Sequence, residues 1–344
     1  MLTEATSEGR SAVSSKDPGD GSCRNEPEWI SAWHDGRTTG TMPLDITVLS
    51  GGPGAERDVS LASGSAVSEA LIRLGHNAVT KDIDPGDLSA LDIPTDVVFV
   101  ALHGEFGEDG GVQNELDQRN IRYCGSGAVA SRLAMNKVEA KRRFVAAGVE
   151  TPDFAVANKT NADDLCREFP LPAFVKPVAS GSSVDTYLVR DSGDLRAKVG
   201  ILVEAYGTAL VERRIEGPEL TVAILGEQAL PVCEIRTSRD FYDYQAKYID
   251  DDTQYLFDTD LPADLLREVR RRSVRAHQAL GCVGFSRVDW MVDRASLRPY
   301  ALEVNTIPGF TSHSLLPKAA GRVGIGFDEL CARIVALAFQ TNGD

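Results

Sequence analysis

The sequence lacks a surplus of positive charge: 51 acidic residues stand against 36 lysines and arginines, for a formal net charge of -15. Nucleic acid and anionic membranes are therefore poor main partners, and a phosphate-bearing ligand must be met by particular cations rather than by a basic face. No run approaches the roughly 18 consecutive apolar residues of a membrane span, and no signal peptide opens the chain, so the cytoplasm is the expected compartment. Six cysteines, at 23, 124, 166, 233, 282 and 331, show neither C-x2-C nor His-paired spacing. That argues against a zinc site or a disulfide framework and for reduced structural thiols. Two nucleotide signatures are missing as well. G-x-x-x-x-G-K-[ST] occurs nowhere, and Gly51-Gly52-Pro53-Gly54 is not a G-x-G-x-x-G fingerprint.

What is present is an ordinary globular balance, 42% hydrophobic and 25% charged over 344 residues, enough for two or three domains. Residues 1–44 are rich in Ser, Gly, Asp and Glu and read as a flexible extension. Met42 precedes the first strand-like run and is an expected alternative translation start, which N-terminal mass spectrometry of protein from the native host would test. From Asp45 strand and helix patterns alternate. Ile46 to Leu49 forms a short apolar run, and Val59, Ala62, Ala66, Val67, Ala70, Leu71 and Leu74 follow at helical spacing. Val97 to Leu102 is continuously apolar, as in a strand covered on both faces. This opening third reads as an open parallel α/β layer.

Further along, one helix is expected over Ala130–Ala147, closed by Gly148. Strands are expected at Ala173–Val178, Ala209–Arg213, Leu220–Leu225 and Ala229–Ile235, with a hairpin turn at Gly226-Glu227. Arg236 to Phe257 is polar, aromatic-rich and weakly periodic, the signature of a lid or binding loop. A long helix begins at Asp260-Leu261-Pro262 and runs to Leu280. Two strands follow, Phe285–Val292 and Tyr300–Val304, then a last helix with its apolar stripe on Phe327, Leu330, Cys331, Ile334, Val335 and Ala338.

The two late strands carry the strongest chemical signal. Side chains at i and i+2 share a strand face, so Arg287 points with Asp289 and Glu303 with Asn305. If the strands are neighbours, two carboxylates, an amide oxygen and an arginine converge, a set of hard oxygen donors suited to Mg2+ shared with phosphates. A solvated, salt-bridged sheet face competes with that reading. Pro308-Gly309 offers exposed backbone N–H groups nearby, Thr311 to Ser314 offers hydroxyls, and Lys318 lies a turn beyond. Lys176-Pro177 followed by Gly181-Ser182-Ser183-Val184 is a candidate phosphate clamp. His103-Gly104 sits at the carboxyl end of its strand, where open α/β sheets place ligands, and is equally open to a structural role. Glu56-Arg57-Asp58 follows the first glycine turn, where acids also complement a helix N-terminus.

Together these segments resemble the D-alanine–D-alanine ligases of the ATP-grasp superfamily. The stretches that carry the resemblance are GGPGAERDVSL at 51–61, ALHGEFGEDGGVQ at 101–113, YCGSGAVASRLAMNKVEAK at 123–141, FVKP at 174–177 with GSSV at 181–184, VERRIEGPELTVAILG at 211–226, FYDYQAKY at 241–248, and SRVDWMVD through EVNTIPGFTSHSLLPKAA at 286–320. It implies an N-terminal α/β domain at 45–125, then an α+β ATP-grasp part with a central lobe at 126–212 and a C-terminal lobe at 213–340. ATP is expected between the lobes, on Lys137, Lys176, Glu212 for the adenine, Ile215, Glu219 for the ribose, and Lys247 for the γ-phosphate. Asp289, Glu303 and Asn305 are the implied ligands of two Mg2+ (or Mn2+) ions. The implied reaction phosphorylates the carboxylate of one D-alanine and lets the amine of a second attack the acyl phosphate. Arg287 and the Gly309 amide are then expected at the oxyanion, Glu56 at the first ammonium, and Ser314 with the Leu315 backbone at the second carboxylate. Ser182 and Tyr248 would tie the loop to Glu56, and His103 would lie near the first substrate, its role as a base left open. The family further implies a homodimer, and a role in making peptidoglycan precursors.

The sequence departs from the family pattern at two places. The family's GSSVG ends here in Asp185, which either faces phosphate, turns outward or approaches a metal. Facing phosphate at about 4 Å, it would cost roughly 1 kcal/mol in water and roughly 4 at intermediate dielectric, so Asp185→Gly would lower the Michaelis constant for ATP. Arg214 replaces the usual aromatic or bulky apolar residue beside adenine, where a guanidinium can still stack. Rival readings are a ligase for D-alanine with D-serine or D-lactate, and a degenerate protein that binds nucleotide without turnover. Tyr248, which accompanies D-alanine as second substrate in the family, disfavours D-lactate.

Overall fold

Three parallel strands open the fold in the computed structural model, which describes residues 42–181, 184–237 and 253–340. β1 (Asp45–Gly51) lies between β2 (Asn77–Ile83) and β3 (Val97–Val100), pairing in parallel with each. The order β2-β1-β3 creates a switch point at the carboxyl ends of β1 and β3, which is where the Gly51–Gly54 turn and His103 emerge. α1 (Arg57–Arg73) buries Val67, Ala70 and Leu71 against the sheet, as its spacing predicts. A second helix, α2 (Gly111–Gln118), follows the His103 turn.

The expected single helix over 130–147 is two, α3 (Ala128–Met135) and α4 (Lys137–Ala146). Asn136 between them is extended, and its side chain caps α4 by accepting from the Glu139 N–H at 3.1 Å. Asparagine is a strong N-cap residue, and here it interrupts a helical pattern that reads as continuous. The break has a positional consequence: Lys137 becomes the first residue of α4, its N–H bonded to the Val178 carbonyl. Gly148, at φ +70°, follows the helix end as expected.

A four-stranded antiparallel sheet comes next, in the order β4 (Phe154–Asn158), β7 (Thr208–Arg213), β5 (Ala173–Lys176), β6 (Tyr187–Val189). α5 (Ala162–Glu168) and α6 (Ser192–Tyr206) cover it, burying Leu195, Val199 and Leu202 on Ala157, Val175 and Val211. The larger antiparallel sheet runs β11 (Gln254–Leu256), β10 (Cys233–Arg236), β8 (Glu219–Leu225), β12 (Phe285–Val292), β13 (Pro299–Asn305), with β9 (Gln228–Ala229) on β8. The expected strand over Ala229–Ile235 is thus broken at Leu230–Val232, where Pro231 has no N–H to offer a ladder. The expected loop 236–257 also gives up both ends, Arg236 to β10 and Gln254–Leu256 to β11; positions 238–252 lie outside the described residues. α7 (Ala263–Ala279) covers this sheet, and the buried Trp290 indole donates to Ser273 Oγ at 2.9 Å.

Two short-range features lock the layers together. α8 (Leu315–Gly321) and α9 (Phe327–Gln340) close the chain, and α9 contributes Leu330, Ile334 and Val335 to the same core as Val67 and Phe99. Phe99 of the first sheet meets Phe310 edge-on at 5.1 Å, and Phe310 meets Phe285 of the larger sheet at 5.7 Å. Edge-to-face pairs of this kind add about 0.5–1.5 kcal/mol each beyond area burial. The parallel layer is thereby held firmly against the strand that carries Arg287 and Asp289. Among the described residues no helix is long and apolar enough to cross a membrane.

Candidate active site

β12 and β13 are neighbours, and their register sets Arg287 opposite Asn305 and Asp289 opposite Glu303. The convergence that the i, i+2 spacing predicts is therefore present. Arg287 grips Asp289 in a fork, Nε to Oδ1 at 2.9 Å and Nη2 to Oδ2 at 2.8 Å, and Thr221 Oγ1 donates to the same Oδ1 at 2.6 Å. Among the described residues no cluster of three or more His, Cys, Asp or Glu could hold a metal ion. The set here is two carboxylates and an amide, which fits a hard divalent cation that takes its other ligands from phosphate and water. These three bonds leave the Asp289 carboxylate a lone pair on Oδ2 for a cation, beside Arg287.

Two cavities open on this patch. The larger, of about 800 Å³, is walled by Lys137, Lys176, Glu212, Ile215, Glu219, Asp289 and Glu303. The smaller, of about 110 Å³, is walled by Glu56, His103, Arg287, Asn305, Gly309, Ser314 and Leu315, again with Lys137 and Glu303. Every described residue of the expected site thus lines one cavity or the other, and Lys137 and Glu303 line both. Lys137 lies 3.7 Å from Glu303 and donates to the Ser180 carbonyl. Ser182, Lys247 and Tyr248 fall outside the described residues.

In the larger cavity Arg213, Arg214, Arg236 and Arg294 join the two lysines, six cations set among seven carboxylates. At its inner end Glu212 is 2% exposed and takes Lys176 on Oε1 at 2.7 Å and Lys141 on Oε2 at 2.5 Å. Burial alone would raise this carboxyl, but the two ammonium groups outweigh it and hold it at about 2. Lys141 also donates to Thr151 Oγ1 at 2.7 Å, which donates onward to the Ala301 carbonyl at 2.8 Å. Sequence reading missed Lys141, although its place four residues after Lys137 on one helix face was a usable signal. Arg214 lines the cavity and sits 3.4 Å from Glu216.

The smaller cavity is built from short polar contacts. Gly309 packs closely on Ser314: a Cβ there would stand 2.6 Å from Ser314 Oγ and would make that hydroxyl move. That hydroxyl also accepts from the Thr311 N–H at 3.0 Å. His103 spends both ring nitrogens on protein: Nδ1 faces the Ile307 carbonyl at 3.1 Å, and Nε2 faces Ser63 Oγ at 3.2 Å. Since a carbonyl only accepts, the proton belongs on Nδ1, and Nε2 accepts from Ser63. Burial pushes its pKa down, against the opposing pull of Glu56. A neutral ring tied at both ends suits a structural link better than a free base. Glu108, also missed from sequence, is buried in the same wall.

Asp185 does not sit as the phosphate-facing reading requires. Its carboxylate accepts from the Tyr206 hydroxyl at 2.5 Å and the Tyr187 hydroxyl at 3.1 Å, and its backbone is left-handed at φ +53°. The left-handed turn explains the glycine expected there. The side chain that replaces it is turned onto the tyrosines instead.

Comparison with known proteins decides the family. The D-ala D-ala ligase C-terminus family matches residues 144–336, and the D-ala D-ala ligase N-terminus family matches 74–126. The D-alanine–D-alanine ligase of Syntrophotalea carbinolica is 44% identical over 295 residues, 85% of this chain and 95% of that protein. The chain belongs to the D-alanine–D-alanine ligase family. This ligase also matches the crystal structure of the Bacillus anthracis D-alanine–D-alanine ligase complexed with ATP, at TM-score 0.77 and 33% identity over 88% of this chain and 98% of that one. The VanG D-Ala:D-Ser ligase of Enterococcus faecalis matches with the same TM-score at 28% identity, over 86% of this chain and 100% of that one. The ligase is therefore an ATP-dependent ATP-grasp enzyme, with a parallel N-terminal layer and two antiparallel sheets.

Proposed function

We propose that this ligase joins two molecules of D-alanine through an acyl phosphate, with ATP in the larger cavity and the amino acids in the smaller. The observation that carries this reading is the wall the cavities share: Lys137, Ser180, Gly181 and Glu303 border both. A γ-phosphoryl group at the end of one cavity would meet a carboxylate at the end of the other. Lys137 and Lys176 are suited to balance the phosphate charge, which phosphoryl transfer needs more than covalent help. Lys141 keeps Glu212 compensated so that Glu212 and Ile215 can serve the adenine side, and Glu219 the ribose. Glu56 is suited to the first ammonium. Ser314 Oγ and the Leu315 backbone are suited to the second carboxylate.

The second amine attacks the acyl carbon, a tetrahedral intermediate forms, and inorganic phosphate leaves. Arg287 and the Gly309 N–H are donors for its oxyanion. Asp289, Glu303 and Asn305 would hold Mg2+ or Mn2+, which when bound neutralises phosphate charge. We include Ser182, Lys247 and Tyr248 in the site on the family resemblance alone, and with them the cytoplasmic location, the homodimer and the peptidoglycan role.

The test is phosphate release from ATP and Mg2+ with and without D-alanine, with the product identified by mass. D-alanine-dependent release of phosphate together with D-alanyl-D-alanine supports the reading; ATP binding without any release overturns it. D-serine is kept as a second reading because the D-Ala:D-Ser ligase shares the fold as well as the ATP complex does. Competition between D-alanine and D-serine for the second position separates the two.

A further inference from the structure

Glu108 lines the smaller cavity and has no part in the mechanism above. It reaches both polar ends of one glycine. Its Oε2 accepts from the Gly104 N–H at 2.7 Å, and its own backbone N–H donates to the Gly104 carbonyl at 2.8 Å. Gly104 is left-handed at φ +67°, and a Cβ there would lie 3.3 Å from Glu56 Oε2, so the glycine is the surface on which Glu56 rests. The residue before it is His103, whose Nδ1 proton is taken by the Ile307 carbonyl. A backbone hydrogen bond from Ile307 acts on Glu108 as well.

The turn around Glu108 is otherwise pinned without it. Asp109 accepts from the Phe106 and Gly111 N–H groups at 2.9 and 2.8 Å, and Gln113 Nε2 donates to the Gly107 carbonyl at 2.6 Å. Glu108 is therefore not needed to close the turn. What it alone fixes is the Gly104 amide, beneath Glu56.

We propose that Glu108 is a positioning residue for the first amino acid, holding Gly104 so that Glu56 and His103 keep the spacing that receives its ammonium end. The inference rests on the reading of the smaller cavity as the amino-acid site. The charge state is consistent with the role. Burial, helped by the neighbouring Glu56, pushes the Glu108 carboxyl up to about 8, so it is neutral near pH 7. The Gly104 N–H needs only an acceptor oxygen, charged or not, and a glutamine amide oxygen supplies one at the same reach.

The test compares Glu108→Gln with Glu108→Ala near neutral pH, reading the Michaelis constants for the first D-alanine and for ATP separately. Glu108→Gln is expected to stay within about threefold of the parent in both. Glu108→Ala is expected to raise the constant for the first D-alanine by about tenfold to a hundredfold, the range for a buried donor stripped of its acceptor, with that for ATP unchanged. Calorimetric titration of D-alanine in the presence of ADP makes the same comparison without turnover, so an inactive parent would sink the ligase reading while leaving this one measurable. A Gln variant that falls as far as Ala would overturn the proposal, because charge or proton transfer would then be at stake. So would an Ala variant that binds D-alanine like the parent, or one that loses ATP equally.

Discussion

Asp185 accepts a 2.5 Å hydrogen bond from the hydroxyl of Tyr206, the last residue of α6, and a second from Tyr187 at 3.1 Å. The one acidic intrusion into the glycine-serine loop is thus engaged by two tyrosines of the same lobe. Asp185→Gly is accordingly expected to change the Michaelis constant for ATP by less than about twofold, since the charge repulsion that would have given a larger effect needs close approach. Steady-state kinetics at saturating D-alanine checks this. A fall of several-fold would return the carboxylate to the phosphate.

The Lys141–Glu212 pair makes stability depend on pH in a definite direction. The folded pKa of Glu212, about 2, lies below its ordinary 4.5. Its contribution is therefore fully present above pH 4.5 and is lost as pH falls toward 2. Lys141→Met should cost about 3–5 kcal/mol at neutral pH, as for a buried ion pair broken on one side. The deficit should shrink below pH 4.5. Urea unfolding of parent and variant at neutral and acid pH measures it; a deficit independent of pH would count against the pairing.

Asp289→Asn should raise the Mg2+ concentration for half-maximal phosphate release by about tenfold or more, the usual scale for weakened metal sites. Chelation with EDTA should abolish release from the parent. Because Arg287 shares the Asp289 carboxylate, Arg287→Ala should tighten the Mg2+ requirement even as turnover falls by about 10²-fold or more. A Mg2+ titration that is the same for parent and Asp289→Asn would remove Asp289 from the ligand set.

Arg214→Ala should raise the Michaelis constant for ATP by about two- to fivefold, the equivalent of about 0.5–1 kcal/mol for a partly exposed cation over an aromatic face. Its position in the wall of the larger cavity motivates this. Substitution by tyrosine should restore the parental value. No change in either variant would mean that Arg214 points at Glu216 and serves nothing else.

Much of this site was legible in the residues because strand alternation is local. The i, i+2 rule alone puts Arg287 with Asp289 and Glu303 with Asn305, and the register then only had to place the strands side by side. The parallel opening layer followed in the same way from continuous apolar runs bounded by glycine turns. Motif resemblance supplied the family and the reaction, from Gly51 to Ala320.

Tertiary structure alone decided the rest, because burial and pairing join residues that are distant in the chain. Lys141 looks like a surface residue of a helix until Glu212, on a strand of another layer, is found against it. Asn136 reads as one more polar residue of a helical pattern until its cap breaks the helix and sets Lys137 3.7 Å from Glu303. Glu108 is one acid in an acidic protein until Gly104 folds onto it and Glu56 closes the wall. Asp185 could have faced phosphate, solvent or metal, and the choice lay with two tyrosine hydroxyls, one of them 21 positions away. Most element types, the shared strand faces and the family could be read from local residue patterns. Which charges were desolvated and against which partner was decided by packing, since that energy does not exist until the layers meet.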